Sequence, residues 1–493
     1  MQYISTRNKN VKVSSAEAIL KGLSGDGGLF VPESIPILSD SDFASLKGMD
    51  YIGRAKYLLG RFLTDFTESE LDYCCRGAYE NSFDGGRPAP LKNIGDGVSI
   101  MELWHGPTCA FKDLALQILP YLLTTSSKKM GNKDETVILV ATSGDTGKAA
   151  LEGFCDVEGT KIMVFYPSEG VSRMQKLQMD TQRGDNVFVC SIKGNFDDAQ
   201  TGVKKIFGDK KLESALKAAG KQFSSANSIN WGRLVPQIVY YVSAYLDLGL
   251  PERFNVVVPT GNFGNILAAY YAKCMGVPIN KLICASNKNK VLTDFINTGV
   301  YDKNREFYAT ESPSMDILIS SNLERMLFLL SGQDDAKIKN WQELLFKNGV
   351  YTVDDDVKAK MQSIFFGGFC DDEQTAETIG ETYKKYGYVC DTHTAVAVNV
   401  YNQYKRQSGD SLPVVIASTA SPYKFAPAVL SALKQPVLED DFENLAALNK
   451  ISGMPVPEQI GRLKNMPRRF KDVIEKEYMP NEVLKFLNIK MPE

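Results

Sequence analysis

The stretch Glu102-Leu103-Trp104-His105-Gly106-Pro107-Thr108-Cys109-Ala110-Phe111-Lys112-Asp113 puts a lysine where regular structure restarts. Gly106-Pro107 breaks an element, and Leu114-Ala115-Leu116-Gln117-Ile118-Leu119 reads as the opening of a helix. Lys112 therefore falls at or just before a helix N-terminus, whose partial positive charge disfavours an ammonium. The flanking Phe111 adds desolvation. Both effects favour the neutral amine, the form that Schiff-base chemistry requires. On position alone, a surface lysine beside a helix-capping Asp113 accounts for the same residues.

Two further segments have the composition of anion-binding turns. Ala141-Thr142-Ser143-Gly144-Asp145-Thr146-Gly147-Lys148-Ala149 follows an apolar run and leads into a helical period. It is not a P-loop: Thr142 stands where the first glycine belongs, and Ala149 where a hydroxyl must reach magnesium. A hydroxyl- and amide-rich turn at a helix start suits a carboxylate or a phosphate. Pro259-Thr260-Gly261-Asn262-Phe263-Gly264-Asn265 has the same form. Its spacing departs from G-x-G-x-x-G, so a compact phosphate monoester fits it better than a dinucleotide. A third turn, Ser418-Thr419-Ala420-Ser421-Pro422, offers hydroxyls that bind a ligand or cap the next helix.

Buried strands must position these turns. Apolar, β-branched runs recur at 136–140, 161–165 and 186–190, and again at 254–258, 281–285 and 413–417, with helical periods between. Such runs predict parallel strands covered on both faces, hence an α/β fold with two lobes. Ligands in that architecture bind beyond the carboxyl ends of strands, where all three turns fall. Residues 1–95 read as an N-terminal unit with amphipathic helices near 51–63 and 68–78. Residues 96–435 form the core, with a smaller lobe at about 130–225 and a helical insertion at about 301–368. A helical tail occupies 436–493.

Composition narrows the function. The 493 residues are 44% hydrophobic with a net charge of -3, which leaves no electrostatic footprint for nucleic acid. No apolar run reaches the length of a membrane span, and the first residues lack the apolar core of a signal peptide. Nine scattered cysteines without a C-x-x-C pair predict a reduced, cytoplasmic protein. With only His105 and His393, no metal site is expected, and both histidines are read as structural or supporting groups.

Taken together, the segments resemble the threonine synthases, pyridoxal-phosphate enzymes of the tryptophan-synthase-β-like family. The resemblance rests on H-G-P-T-x-A-F-K-D at 105–113, A-T-S-G-D-T-G at 141–147 and P-T-G-N-F-G-N at 259–265. It extends to D-G-G-L-F-V-P at 26–32, G-N-F-D-D-A-Q at 194–200, N-S-I-N-W-G-R at 227–233, S-P-S-M-D-I at 312–317 and S-N-L-E-R at 321–325. It covers nearly the whole chain and implies the fold type II architecture in its longer form. Two departures stand out: Ser421 replaces a common histidine, and Thr392 stands where the family commonly has proline.

The resemblance implies a cofactor, pyridoxal 5'-phosphate, on Lys112 as Schiff-base lysine, with its phosphate on Gly261, Asn262, Phe263, Gly264 and Asn265. Thr419 is expected at the pyridine nitrogen. Asp145 is expected near the phenolic oxygen, where two anions would repel, so a shared proton or an outward turn is predicted. Thr142, Ser143 and Thr146 are expected on the substrate carboxylate. Ser172, Arg173, Asn227 and Arg233, with Lys148 as a further candidate, are expected on the substrate phosphate. The implied reaction turns O-phospho-L-homoserine and water into L-threonine and phosphate, the last step of threonine biosynthesis. Open alternatives are a phospholyase releasing 2-oxobutyrate and a catalytically silent binder of the cofactor. Oligomeric state, effectors and the role of the insertion stay open.

Overall fold

The computed structural model describes residues 1–142, 144–169 and 171–490. Among the described residues two parallel sheets dominate. The larger runs Phe365–Phe369, Ile279–Ser286, Phe254–Pro259, Val414–Ser418, Val98–Glu102, Leu91–Gly95 in spatial order. All its neighbours are parallel except the last pair, an antiparallel hairpin. The smaller sheet runs Val473–Glu475, Val187–Lys193, Thr160–Pro167, Glu135–Ala141, Lys221–Ser224 and is parallel throughout. The six runs read as strands from the sequence are therefore strands, three in each sheet.

Burial on both faces explains why those runs are largely apolar. Ile138 and Val140 face one core, while Val137 and Leu139 face another beneath the helix Phe196–Gly208. In the larger sheet Val256 and Val258 enter the first core, and Val257 packs towards the helix Thr392–Ser408. A strand covered on both sides has no solvent face to make polar.

Three stretches differ from the sequence reading. The strand Leu91–Gly95, counted with the N-terminal unit, is the antiparallel edge of the larger sheet. The stretch 301–368 holds the helices Leu323–Leu330, Asp335–Asn348 and Asp355–Ile364. It also holds part of a two-stranded ribbon and most of the edge strand Phe365–Phe369. That strand, Phe-Phe-Gly-Gly-Phe, lacks the β-branched signal because Gly367 must clear the Thr293 backbone: a Cβ there would lie 3.1 Å from Thr293 Cα. The tail is not purely helical: Val473–Glu475 extends the smaller sheet, and Met479, Val483 and Leu487 close its outer core. Three residues are too few to show a period.

The N-terminal unit is a three-stranded antiparallel sheet with helices, and it shares the main core. Tyr3 and Phe62 pack on Trp231 with ring centroids 5.4 and 5.8 Å apart.

Candidate active site

The site lies beyond the carboxyl ends of central strands in both sheets. The lysine loop leaves the strand Val98–Glu102 and is laced to the loop after its neighbour Val414–Ser418. Leu103 N–H donates to Ser418 O (3.0 Å), Phe111 N–H to Thr419 O (2.8 Å) and Ser421 N–H to Cys109 O (3.1 Å). The buried Asp113 carboxylate closes the loop on itself, accepting from Thr108 N–H (2.8 Å) and Thr108 Oγ1 (2.6 Å).

Lys112 stands at the N-terminus of the short helix Asp113–Leu116. Its Nζ donates to Ser314 Oγ (3.3 Å) and lies 3.9 Å from Asp145 Oδ2 and 5.6 Å from the Phe111 ring centre. Burial pushes the amine down to about 8; Lys424 and Arg233 act in the same direction, and Asp145 opposes them. The free amine, the form a nucleophile or proton acceptor must take, is thus far more populated near neutral pH than for an ordinary lysine, though still the minor form.

Asp145 opens the helix Asp145–Phe154 after Gly144, whose φ of 151° is open to glycine alone. A Cβ at Gly144 would also meet the Gln175 side chain at 2.5 Å. Gln175 Nε2 donates to Asp145 Oδ1 (2.8 Å), and Lys424 Nζ donates to the same oxygen. Burial raises the carboxyl's pKa, but the charges of Lys424 and Lys112 and these hydrogen bonds outweigh it and hold the group below the usual carboxylate range. Lys424 thus gives the Asp145 carboxylate a buried counter-cation.

The strand Phe254–Pro259 turns through Gly261 and Asn262 into the helix Gly264–Cys274. A Cβ on Gly261 would lie 2.7 Å from Ser314 O, so glycine lets the 312–316 loop rest on this turn and reach Lys112. Phe263 is left-handed (φ 63°), and its ring is buried 5.7 Å from that of Phe365, so it offers a ligand its backbone only. Asn262 is exposed and accepts from Ser321 Oγ (3.4 Å). Asn265 Oδ1 accepts from Tyr240 (2.9 Å) and Tyr241, while its buried Nδ2 has no partner among the described residues. Free amides at a helix start beside an unspent Nδ2 form a cradle for a phosphate.

Arg233 lies in the first turn of the helix Trp231–Asp247 and is 3% exposed. Its Nη1 donates to Ala226 O, its Nε has no partner among the described residues, and burial pushes it down to about 10. A buried guanidinium without a counter-anion is expensive unless a ligand supplies one.

The remaining candidates divide. Thr142 spends its hydroxyl inside its own turn, accepting from Gly144 N–H and Gly147 N–H (both 3.0 Å). Thr146 is half-buried next to Asp145, and Ser143 lies outside the described residues. Thr419 is buried, with no protein partner for its hydroxyl among the described residues. Ser172 caps the helix Arg173–Asp180, and the exposed Arg173 donates to Glu439 O (3.3 Å), on the segment entering the tail. Asn227 is exposed. Lys148 is spent on Glu152 (2.8 Å) and Gln182. The structure thus sets Asp145 and Arg233 each within electrostatic reach of Lys112, and gives Arg173 and Lys148 other partners.

Sequence reasoning missed Lys424, Gln175 and Ser314. Lys424 follows the last central strand by six residues, inside the loop region searched, and an acidic Asp145 needed a cation. His393, read as a supporting group, accepts from Ser314 N–H at Nε2 (3.2 Å) while Asp391 holds its Nδ1 (2.8 Å). His105 pairs with Glu102 (2.9 Å). Ser421, in place of the family histidine, caps the turn Pro422–Phe425.

Three family models match in order: "Threonine synthase N terminus" over residues 2–79, "Pyridoxal-phosphate dependent enzyme" over 84–352 and "Threonine synthase, C-terminal" over 394–480. The chain is 42% identical to threonine synthase-like 1 of Pongo abelii over 89% of its own length, and spans 61% of that relative. It is 37% identical to the threonine synthase of Pseudomonas aeruginosa, covering 98% of this chain and 97% of the relative. Its fold superposes on the PLP-bound threonine synthase of Brucella melitensis with a TM-score of 0.88 at 35% identity, over 99% of this chain and 98% of the other. The chain belongs to the threonine synthase family of pyridoxal-phosphate dependent enzymes.

Proposed function

We propose that this chain converts O-phospho-L-homoserine and water to L-threonine and phosphate, with Lys112 as the reactive amine. The observation that carries the reading is a largely buried lysine, its pKa pushed down to about 8, between Ser314 Oγ and Asp145. The donors around it fit pyridoxal phosphate: the 261–265 turn with the unspent Asn265 Nδ2 takes the phosphate, and the unpartnered Thr419 hydroxyl takes the ring nitrogen. A hydroxyl there, unlike a carboxylate, does not hold that nitrogen protonated. When bound, the cofactor supplies an electron sink for charge developing at the substrate Cα.

The chain's own residues do the rest. Lys112 takes the Cα proton and carries protons between Cα, Cβ and Cγ, the only amine so placed among the described residues. Arg233 binds the substrate phosphate and stabilises its departure from Cγ. Backbone amides of the 142–146 turn and the Thr146 hydroxyl take the substrate carboxylate, since the Thr142 hydroxyl is committed to its turn. Ser172, Arg173 and Asn227 are left as outer contacts. Water must be excluded during elimination and then admitted at Cβ, a task for closure of the smaller lobe. Free cysteines throughout fit a reduced, cytoplasmic setting.

Purified chain supplied with pyridoxal phosphate and phosphohomoserine is expected to release phosphate and threonine in equal amounts, read by phosphate assay and amino-acid chromatography. Oxobutyrate without threonine would make it a phospholyase; no phosphate release would leave a silent binder.

A further inference from the structure

We propose that Lys424 is a positioning residue for this site: it reaches from the larger lobe to the smaller, holds Asp145 as a carboxylate beside Lys112, and by its own charge favours loss of the Lys112 proton. The proposal rests on Lys112 being the reactive amine.

Lys424 follows the central strand Val414–Ser418, in the single turn Pro422–Phe425. Its side chain is fully buried, and its Nζ donates to Asp145 Oδ1 and to Thr108 O (3.0 Å). Asp145 belongs to the first helix of the smaller lobe, and its other oxygen lies 3.9 Å from Lys112 Nζ. The carboxylate therefore spans two lysines, one at each oxygen, with Gln175 fixing its plane from the helix Arg173–Asp180.

A carboxylate at this depth is tolerated only when paired, and removing one partner leaves a charge without compensation. Lys112 cannot be the permanent partner, because it must give up its charge to act as nucleophile or base. Lys424 supplies that permanent charge. It also faces Lys112 as a like charge, which favours loss of the Lys112 proton. The other titratable groups at hand are engaged elsewhere or lack the sign. Asp113 is held by Thr108, the Cys109 thiol is pushed up by burial, and Arg233 is cationic like Lys424.

The test reads Lys112 itself. The full-length chain, freed of cofactor, is acylated briefly with acetic anhydride over a pH series, and the Lys112 peptide is quantified by mass spectrometry. The wild-type midpoint is expected near 8. Removing a positive charge must raise the proton affinity of the Lys112–Asp145 pair whichever member holds the proton. Lys424→Met is therefore expected to move the midpoint up by about one pH unit, and Lys424→Arg to leave it in place. A Lys424→Met midpoint at or below wild type overturns the proposal. Should the methionine variant not fold, Asp145→Asn decides: its midpoint must fall below wild type, and an unchanged one is equally fatal. Acylation needs no turnover, so a chain that makes oxobutyrate in place of threonine leaves this result standing.

Discussion

Arg233 brings a full charge into the interior with one carbonyl for a partner, a poor arrangement for stability alone. Replacing a buried ion by an apolar side chain of similar volume is often neutral or stabilising. A charge-assisted contact to the substrate phosphate, by contrast, is worth about 1.5–3 kcal/mol. Arg233→Met is therefore expected to hold or raise the melting temperature, keep the cofactor bound, and raise KM for phosphohomoserine by about 10–100-fold. Thermal melts, the visible absorbance and steady-state kinetics check the three parts; an unchanged KM removes Arg233 from the substrate site. The same contrast shows what was legible at this scale. Lys112 and Arg233 stand in motif-bearing segments at helix starts, and local sequence exposes them. Lys424 acts on a residue 279 positions away, a pairing no local window contains.

At the level of elements, the central strands were readable because both their faces are buried and most of their residues are apolar. The edges were not. Phe365–Phe369 and Val473–Glu475 are edge strands whose register comes from the neighbouring strand. The turns were readable as anion sites from glycines and hydroxyls, yet the job of each hydroxyl was not. Thr142, expected on a substrate, instead satisfies two amides of its own turn. A hydroxyl beside free N–H groups will close the turn if geometry allows, and only the folded backbone shows whether it does.

On the scale of the whole molecule, segments distant in sequence are joined by specific attachments. The N-terminal unit is tied to the helix Leu323–Leu330 by Glu324, which accepts from Arg7 Nε (2.9 Å) and Nη2 (2.7 Å) and from Thr6 Oγ1. The carboxylate is nearly buried and its arginine only partly exposed. Glu324→Ala strands that guanidinium and is expected to cost about 3 kcal/mol, read from chemical denaturation. A loss below about 0.5 kcal/mol, typical of a surface position, would show the tie to be incidental. The neighbouring Asn322 and Ser314, on the 312–322 loops, touch the 261–265 turn and Lys112. The stretch that reads as an insertion is thus part of the site wall.

All of this depends on one amine. The most direct measurement is borohydride reduction of the chain saturated with pyridoxal phosphate, followed by peptide mass spectrometry. The account predicts a single reduced adduct, on Lys112. An adduct on Lys424 or any other lysine, or none at saturation, would contradict it.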